Sequence, residues 1–223
     1  MFERKSDCEL NQQIVRELKL DSRVKSAALT VNVKDGIAIL SGVVPAYFQK
    51  LEAQNAAHRV VGILDVVNDI EVIPVERFVG ADTQIANAVR NALEWDALVP
   101  NESIQSTVSE GWVTLEGEVD YWRERGDAED AIRRLSGVVG VTNRITVRKR
   151  PIDSGELRGE IEVALGKRAE REAERLRVEI HDGTVDLFGR VHSWQERRAV
   201  LGAVGHAPGV MQVRDHLRID PYF

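Results

Sequence analysis

The sequence is poor in cysteine: Cys8 is the only one among 223 residues, which excludes a disulfide within the chain. Stable disulfides belong to oxidising compartments, so a single cysteine suits a reducing one. The first seven residues, MFERKSD, also lack the apolar stretch of a secretory signal. We therefore expect a cytoplasmic protein.

Long apolar runs and a basic excess are missing as well. No run approaches the roughly 20 apolar residues that a membrane-spanning helix requires, so we expect no transmembrane segment. Lys and Arg number 30 against 36 Asp and Glu, which gives a formal net charge of −6. Nucleic-acid-binding proteins normally carry a basic excess or stripe, so we expect no nucleic-acid partner.

The motifs of catalysis and metal binding are also absent from the sequence. It holds no phosphate-binding loop and no nucleophile elbow. Four of the five histidines lie in the last third, but no HxxxH or CxxC spacing brings metal ligands together. We expect no enzyme, no cofactor and no metal site.

What the sequence does contain is a threefold internal repeat. The turn dipeptide Asp35-Gly36 returns as Glu110-Gly111 and as Asp182-Gly183, at offsets of 75 and then 72 residues. The same offsets align further positions along the chain: Ile14, Val89 and Ile161; Tyr47, Trp122 and Trp194; Val66, Val141 and Val213; Asn68, Asn143 and Asp215. Self-similarity at a fixed period indicates one structural unit built several times.

Each copy shows the same order of patterns. Apolar residues at helical spacing, such as Leu10, Ile14 and Leu18, come first. Alternating residues then predict a strand with one buried face, and a second strand follows the turn. The pattern ends with a second helix and a third strand; the helix is expected at 47–61, 122–136 and 194–206.

The order αββαβ predicts an α+β fold. A strand–helix–strand crossover makes the second and third strands parallel, so each copy should be a three-stranded mixed sheet with two helices on one face. We expect modules at residues 1–77, 78–151 and 152–223. Units of this size are marginal alone, so the modules should pack on one another.

Nine glycines recur at positions that predict special backbone conformations. In the hairpins, an acidic residue followed by glycine suits positive φ angles. Glycines at the end of the second strand predict a bulge or a close backbone approach, and those at the end of the second helix predict a left-handed cap. In that order, these glycines are Gly36, Gly111 and Gly183; Gly42, Gly117 and Gly189; and Gly62, Gly137 and Gly209.

These features resemble the BON domain, named for bacterial osmotic-stress-inducible and nodulation proteins. The matching marks are a hairpin of the form D-G-x-V-x-L-x-G-x-V and, after a helix, G-V-x-x-V-x-N-x-I-x-V. The second copy follows the latter closely from Gly137 to Val147. The resemblance implies a non-enzymatic protein that binds phospholipid surfaces and protects the envelope under osmotic stress. It also implies a link to potassium, because one relative senses that ion, and to the periplasm, where many relatives are found.

The candidate contact residues lie where the second helix begins. In each copy an aromatic residue opens this helix and cations follow: Tyr47, Phe48 and Lys50; Trp122, Arg123 and Arg125; Trp194, Arg197 and Arg198. An aromatic ring beside Lys or Arg suits the headgroup level of a membrane. The alternative is that the ring closes the core or packs at the helix start. Glu52, Glu124 and Glu196 dilute the positive charge and favour that alternative.

Two further groups have a functional and a structural interpretation. Arg144, Arg148, Lys149 and Arg150 form the densest basic cluster, which fits either an anionic leaflet or a solvated strand end. Glu118 and Asp120 are expected to cancel part of its charge. Asn68, Asn143 and Asp215 either hydrogen-bond nearby backbone or line a site. Residues 168–175, with charges of alternating sign, predict an exposed helix end and loop.

The first hypothesis is a BON-repeat protein that binds phospholipid or a membrane-associated protein during osmotic or envelope stress. The second is a protein-interaction scaffold or homo-oligomer, because each small sheet leaves edges and a face open. The third is a potassium sensor that uses backbone carbonyls, which leave no mark in a sequence.

Overall fold

The structure, a computed structural model, describes residues 5–24, 28–74, 81–149, 154–166 and 176–222. The first module runs α1 (Asp7–Leu20), β1 (Leu29–Lys34), β2 (Ile37–Val44), α2 (Tyr47–His58) and β3 (Asp65–Val72). The second runs α3 (Ala81–Trp95), β4 (Ile104–Ser109), β5 (Trp112–Val119), α4 (Trp122–Ile132) and β6 (Gly140–Val147). The third runs α5 (Ser154–Gly166), β7 (Leu176–His181), β8 (Thr184–Val191), α6 (Trp194–Gly205) and β9 (Gln212–Ile219).

Each module holds its own three-stranded mixed sheet, as the repeat predicts. The strand orders are β1-β2-β3, β4-β5-β6 and β7-β8-β9. The first pair in each sheet is antiparallel and the second is parallel, with equivalent registers such as Ala38 opposite Val66 and Val113 opposite Val141. The fold is therefore α+β, with the αββαβ unit repeated three times.

The first helix of each module is fixed by its apolar stripe and its N-terminus. Leu10, Ile14 and Leu18 of α1 are all buried against the sheet. Burying a side chain of this size contributes about 1.5–3 kcal/mol. At the start of α1, Ser6 and Glu9 form a capping box, in which each side chain accepts a hydrogen bond from the other residue's backbone N–H.

A carboxylate at the start of the first helix also holds the hairpin. The Asp7 side chain accepts hydrogen bonds from the backbone N–H groups of Asp35 (2.9 Å) and Gly36 (3.0 Å). Asp82 does the same for Glu110 and Gly111, both at 2.8 Å. Both residues of each hairpin dipeptide have positive φ, for example 53° at Asp35 and 77° at Gly36. The predicted tight turn is confirmed, and the aspartate that supports it was not predicted.

Two glycine predictions need correction in detail. Gly42, Gly117 and Gly189 do not end the second strand, which continues for two residues beyond each of them. They permit a close backbone approach, since a Cβ on Gly42 would lie 2.1 Å from the carbonyl oxygen of Ala28.

The glycines expected to cap the second helix lie beyond its end. Helix α2 ends at His58, and further turns with Val60 N–H to Ala57 O and Ile63 N–H to Val60 O separate it from Gly62. Gly62 has a φ of 111°, so it takes the left-handed region in this turn and not at the helix cap.

The polar residue in the third strand joins that strand to the second helix. Asn68 Nδ2 donates to Lys50 O at 3.0 Å, and Asn68 Oδ1 accepts from Ile70 N–H. Asn143 repeats both bonds with Arg125 and Ile145. The backbone role is confirmed, although the partners lie in a helix and in the strand itself, not in a turn or bulge.

The third module replaces this asparagine with Asp215. A carboxylate cannot donate to the helix carbonyl, and Arg197 supplies the missing donor from the helix through Nε, 2.7 Å from Asp215 Oδ2. Asp215 Oδ1 still accepts from Leu217 N–H. A charged pair therefore performs the task that an amide performs in the other two modules.

Candidate functional site

The aromatic residue that begins the second helix packs against a neighbouring module. Tyr47, Trp122 and Trp194 are the first residues of α2, α4 and α6, and all three are partly buried. Tyr47 of the first module contacts the core of the second, and Trp122 of the second contacts the core of the third. Trp194 of the third module reaches the first.

Trp194 stacks on His58 at the end of α2. The ring centroids are 3.7 Å apart with an interplanar angle of 13°. The Arg197 guanidinium lies 4.7 Å from the centre of the Trp194 ring, so the indole has two partners. His58 is only 9% exposed. Burial, followed by the charge of Arg198, lowers the pKa of His58 to about 4, so the ring is neutral at pH 7.

The other two contacts use equivalent positions. A Cβ on Gly205 would lie 2.5 Å from the Trp122 ring, which shows how closely this indole approaches helix α6. Burial raises the pKa of Tyr47, and the charges of Glu129 on α4 and of Arg133 just after it also act on its hydroxyl. His58, Arg133 and Gly205 occupy the same position in the repeat, at offsets of 75 and 72 residues.

The three contacts therefore form a closed cycle. The first module inserts its aromatic residue into the second, the second into the third, and the third into the first. Each insertion meets the end of the partner's second helix. The predicted packing of the modules is confirmed, and its arrangement is a closed ring in which equivalent positions of the repeat meet at each contact.

The cations predicted for membrane contact have different surroundings. Arg123 pairs with Asp127 at 3.7 Å and Arg197 pairs with Asp215. Burial lowers the pKa of Arg125, whose Nε has no hydrogen-bond partner among the described residues. Lys50 and Phe48 are partly buried, and Arg198 faces a cleft between modules. Membrane contact by these residues stays a prediction.

The basic cluster of the second module is largely neutralised. Arg144 pairs with Glu116 at 3.2 Å. Arg148 pairs with Glu118 at 3.2 Å and with Asp120 at 3.3 Å, as expected from the nearby acidic residues. Lys149 is exposed, and Arg150 lies outside the described residues, as does the alternating stretch 168–175.

A cleft of about 680 Å³ opens where the three modules meet. Arginines from each module line it: Arg23, Arg59, Arg133, Arg134 and Arg198. The lining also includes His58, Trp194 and the carboxylate of Glu52. The cleft was not predicted from the sequence, because its residues lie far apart in the chain and become neighbours only when the modules pack.

The exposed apolar turn that follows α3 was also not predicted from the sequence. Trp95, the last residue of α3, is 84% exposed, and Leu98 in the following turn is 53% exposed. Trp95 lies two residues after the buried Leu93, and on a helix this spacing places it outside the buried apolar stripe. This spacing in the sequence could have predicted that Trp95 is exposed.

The family model for the BON domain matches the chain three times, over residues 6–74, 81–149 and 153–221. The chain belongs to the BON domain family. Each match spans one αββαβ unit, so the three modules are tandem BON domains. No curated protein matches the chain.

Two solved structures of CdsD, a structural protein of the type III secretion system of Chlamydia trachomatis, are similar to this BON protein. One is 12% identical, covers 95% of this chain and 92% of its own, and has a TM-score of 0.28. The other, the C-terminal domain, is 14% identical, covers 97% and 100%, and has a TM-score of 0.27. A similarity this weak does not show that the two proteins share an arrangement of domains or a function.

No helix among the described residues is long and apolar enough to cross a membrane. Within the same residues, no group of three His, Cys, Asp or Glu side chains is placed to hold a metal ion.

Proposed function

We propose that this BON-repeat protein is non-catalytic and binds the surface of phospholipid membranes during osmotic or envelope stress. Membership of the BON family supports a role at membrane surfaces. Among the described residues, one surface feature supports it specifically, namely the exposed apolar turn after α3.

Trp95 and Leu98 carry the proposal. Both project a large apolar surface into solvent although each module has a complete core. Tryptophan is enriched at the water–membrane boundary because its ring is apolar and its N–H is polar. Transfer of a leucine-sized side chain out of water is worth about 1.5–3 kcal/mol. Two such residues on one turn suit shallow insertion into a bilayer.

Cations of the second module lie at the same end of its sheet as this turn. Strand β4 begins with Ile104 opposite Gly117, and Arg148 N–H donates to Val119 O at 2.8 Å. The start of β4 and the end of β6 therefore flank the same end of β5. Because Glu118 and Asp120 pair with Arg148, we expect the electrostatic part of binding to be small.

Vesicle co-sedimentation tests the proposal. The protein should sediment with vesicles of phosphatidylglycerol and phosphatidylcholine at low salt, and most of the binding should persist at physiological salt. The double variant Trp95→Ser, Leu98→Ser should bind at least about tenfold more weakly, because it removes most of the inserted apolar surface.

Val67→Ser is the matched control, since Val67 is an exposed apolar residue on the open sheet face of the first module. It should bind vesicles like the unmodified protein. A protein that stays in the supernatant with anionic vesicles at low salt would show that lipid binding is wrong. Equal binding by the double variant would show that a different surface is used.

Self-association is a second candidate function, favoured by the open face of the first sheet. Ile37, Val43 and Val67 are exposed on the face opposite the helices. A second copy could cover this apolar face. Light scattering over a range of concentrations should show a dimer that Val67→Glu dissociates, whereas a strict monomer would defeat the idea.

We also propose that the protein is cytoplasmic. A cytoplasmic location is favoured by the free, exposed thiol of Cys8, which suits a reducing compartment, and cell fractionation tests it. Potassium sensing stays an alternative hypothesis. Equal melting temperatures in potassium and sodium chloride would exclude it.

A further inference from the structure

The cleft between the modules has a feature that the packing of the ring does not require. Its described lining holds five arginines and one carboxylate, Glu52, within a chain whose net charge is −6. Its volume of about 680 Å³ lies in the range typical of small-ligand sites. The cleft exists only where all three modules meet, because its arginines come from each of them.

Three of these arginines have carboxylate partners. Arg23 pairs with Asp21 and Glu52, both at 2.7 Å. Arg59 pairs with Glu17 at 3.1 Å and Asp21 at 3.0 Å. Arg133 pairs with Asp130 at 2.7 Å. These ion pairs hold three of the arginine side chains in place and occupy the carboxylates near the cleft.

Arg134 and Arg198 form no ion pair among the described residues. They come from the second and third modules and line one cavity. Desolvation in the cleft, and then the positive charge of Arg59, lower the pKa of Arg198, and the charge of Glu52 opposes this shift only in part. Like charges gathered in this way repel one another unless an anion lies between them.

We infer that this cleft binds a phosphate-bearing anion, held between Arg134 and Arg198 and supported by Arg59. Guanidinium groups suit phosphate because their planar fork donates two parallel hydrogen bonds. Neutral His58 and Trp194 form a low-polarity wall beside the arginines, which strengthens such bonds. The bound anion would tie the three modules together.

The phosphate group could belong to a soluble compound or to a lipid headgroup. The inference goes beyond membrane binding through the exposed turn, because it concerns other residues and a soluble probe. Sodium pyrophosphate is that probe, and sodium sulfate at equal ionic strength controls for general salt effects.

Isothermal titration calorimetry with pyrophosphate tests the site. Arg134→Gln and Arg198→Gln should each weaken binding about tenfold, the loss expected for one charge-assisted hydrogen-bonding partner. Arg90→Gln is the matched control, because Arg90 is an exposed arginine on α3 that does not line the cleft. It should bind pyrophosphate like the unmodified protein.

The two sources of phosphate are separated by vesicle co-sedimentation of the Arg134→Gln, Arg198→Gln double variant. Loss of pyrophosphate binding with vesicle binding retained supports a soluble ligand, and loss of both supports a headgroup in the cleft. No heat with pyrophosphate, or equal affinities in the double variant and the unmodified protein, would overturn the site. Neither result would bear on insertion of Trp95 and Leu98.

Discussion

His58 shows how a single residue depends on the closed ring. It belongs to the first module, yet the third module buries it through the stack with Trp194. An imidazole in water has a pKa of about 6.5, whereas burial lowers the pKa of His58 to about 4. Protonation is therefore opposed in the folded protein and not in the unfolded chain.

This difference predicts a pH dependence. Between pH 6.5 and about 4 the unfolded chain binds the proton and the folded protein does not, so stability falls as the pH is lowered through this window. The contribution is on the order of 3 kcal/mol, at about 1.4 kcal/mol for each pKa unit. His58→Phe keeps an aromatic ring against Trp194 and should lose this part of the dependence. About 2 kcal/mol of this contribution falls between pH 7 and pH 5, and urea unfolding at these two pH values measures it.

His181→Phe serves as the control, because His181 ends strand β7 in an exposed position. It should retain the pH dependence of the unmodified protein. If His58→Phe loses as much stability on acidification as the unmodified protein, His58 is not buried in the way described.

Asp215 pairs with Arg197, and only one of these two residues could be assigned a role from the repeat. The repeat marked Asp215 as equivalent to Asn68 and Asn143, which identified a shared backbone role. It did not identify Arg197 as the replacement donor, because that pairing depends on the distance between a helix and a strand. Spacing in a sequence shows which positions of the repeat are equivalent, but it does not show which side chains are in contact.

At the scale of elements, the second helix of each module serves two interfaces. Its buried face completes the module's own core, as Ala128 and Ile132 do in α4. Its first residue packs on a neighbouring module, and its last turn receives the aromatic residue of another. The short helices therefore connect all three domains.

Helix α6 offers a direct test of this arrangement. Gly205→Ala would place a Cβ 2.5 Å from the Trp122 ring, so the indole or the helix has to move. We expect a loss of about 1–3 kcal/mol in the free energy of unfolding, the range for overpacking. Thermal and urea unfolding measure it.

Gly202→Ala is the matched control in the same helix. Nothing lies within 4 Å of its Cβ position, so the substitution adds helix propensity without a clash. It should stabilise the protein by about 0.5–1 kcal/mol. Equal effects of the two substitutions would contradict the contact between Trp122 and α6.

At the scale of the whole molecule, the last contact of the cycle joins the third module to the first. Without it the three domains would form an open chain with two interfaces. The stack of Trp194 on His58 is the described aromatic contact that closes the ring. Closure also brings Arg198 to the cleft shared with Arg59 and Arg134.

Opening the ring should be observable in solution. Trp194→Ala removes the stack and should lower the free energy of unfolding by about 2–4 kcal/mol, somewhat below the loss for a fully buried tryptophan. Small-angle X-ray scattering should show a larger radius of gyration for this variant. An unchanged radius and unchanged stability would mean that other contacts close the ring.

The sequence was enough to predict the repeat, the αββαβ order, the turn dipeptides and the position of the aromatic residue at each second helix. These features follow from local rules: periodicity selects helices and strands, and backbone sterics select glycine where φ is positive. The helix boundaries were the least accurate part, since α2 ends at His58 and not at residue 61.

The contacts of the aromatic residues and the meeting of the arginines could not be predicted from the sequence, because both depend on how the modules pack. The closed ring depends on the angles between modules, which no repeat spacing encodes. Trp122 meets Gly205 and Trp194 meets His58 only because the modules pack into a closed ring. The cleft arises from the same packing, since its charges come from distant parts of the chain and become neighbours only in the folded protein.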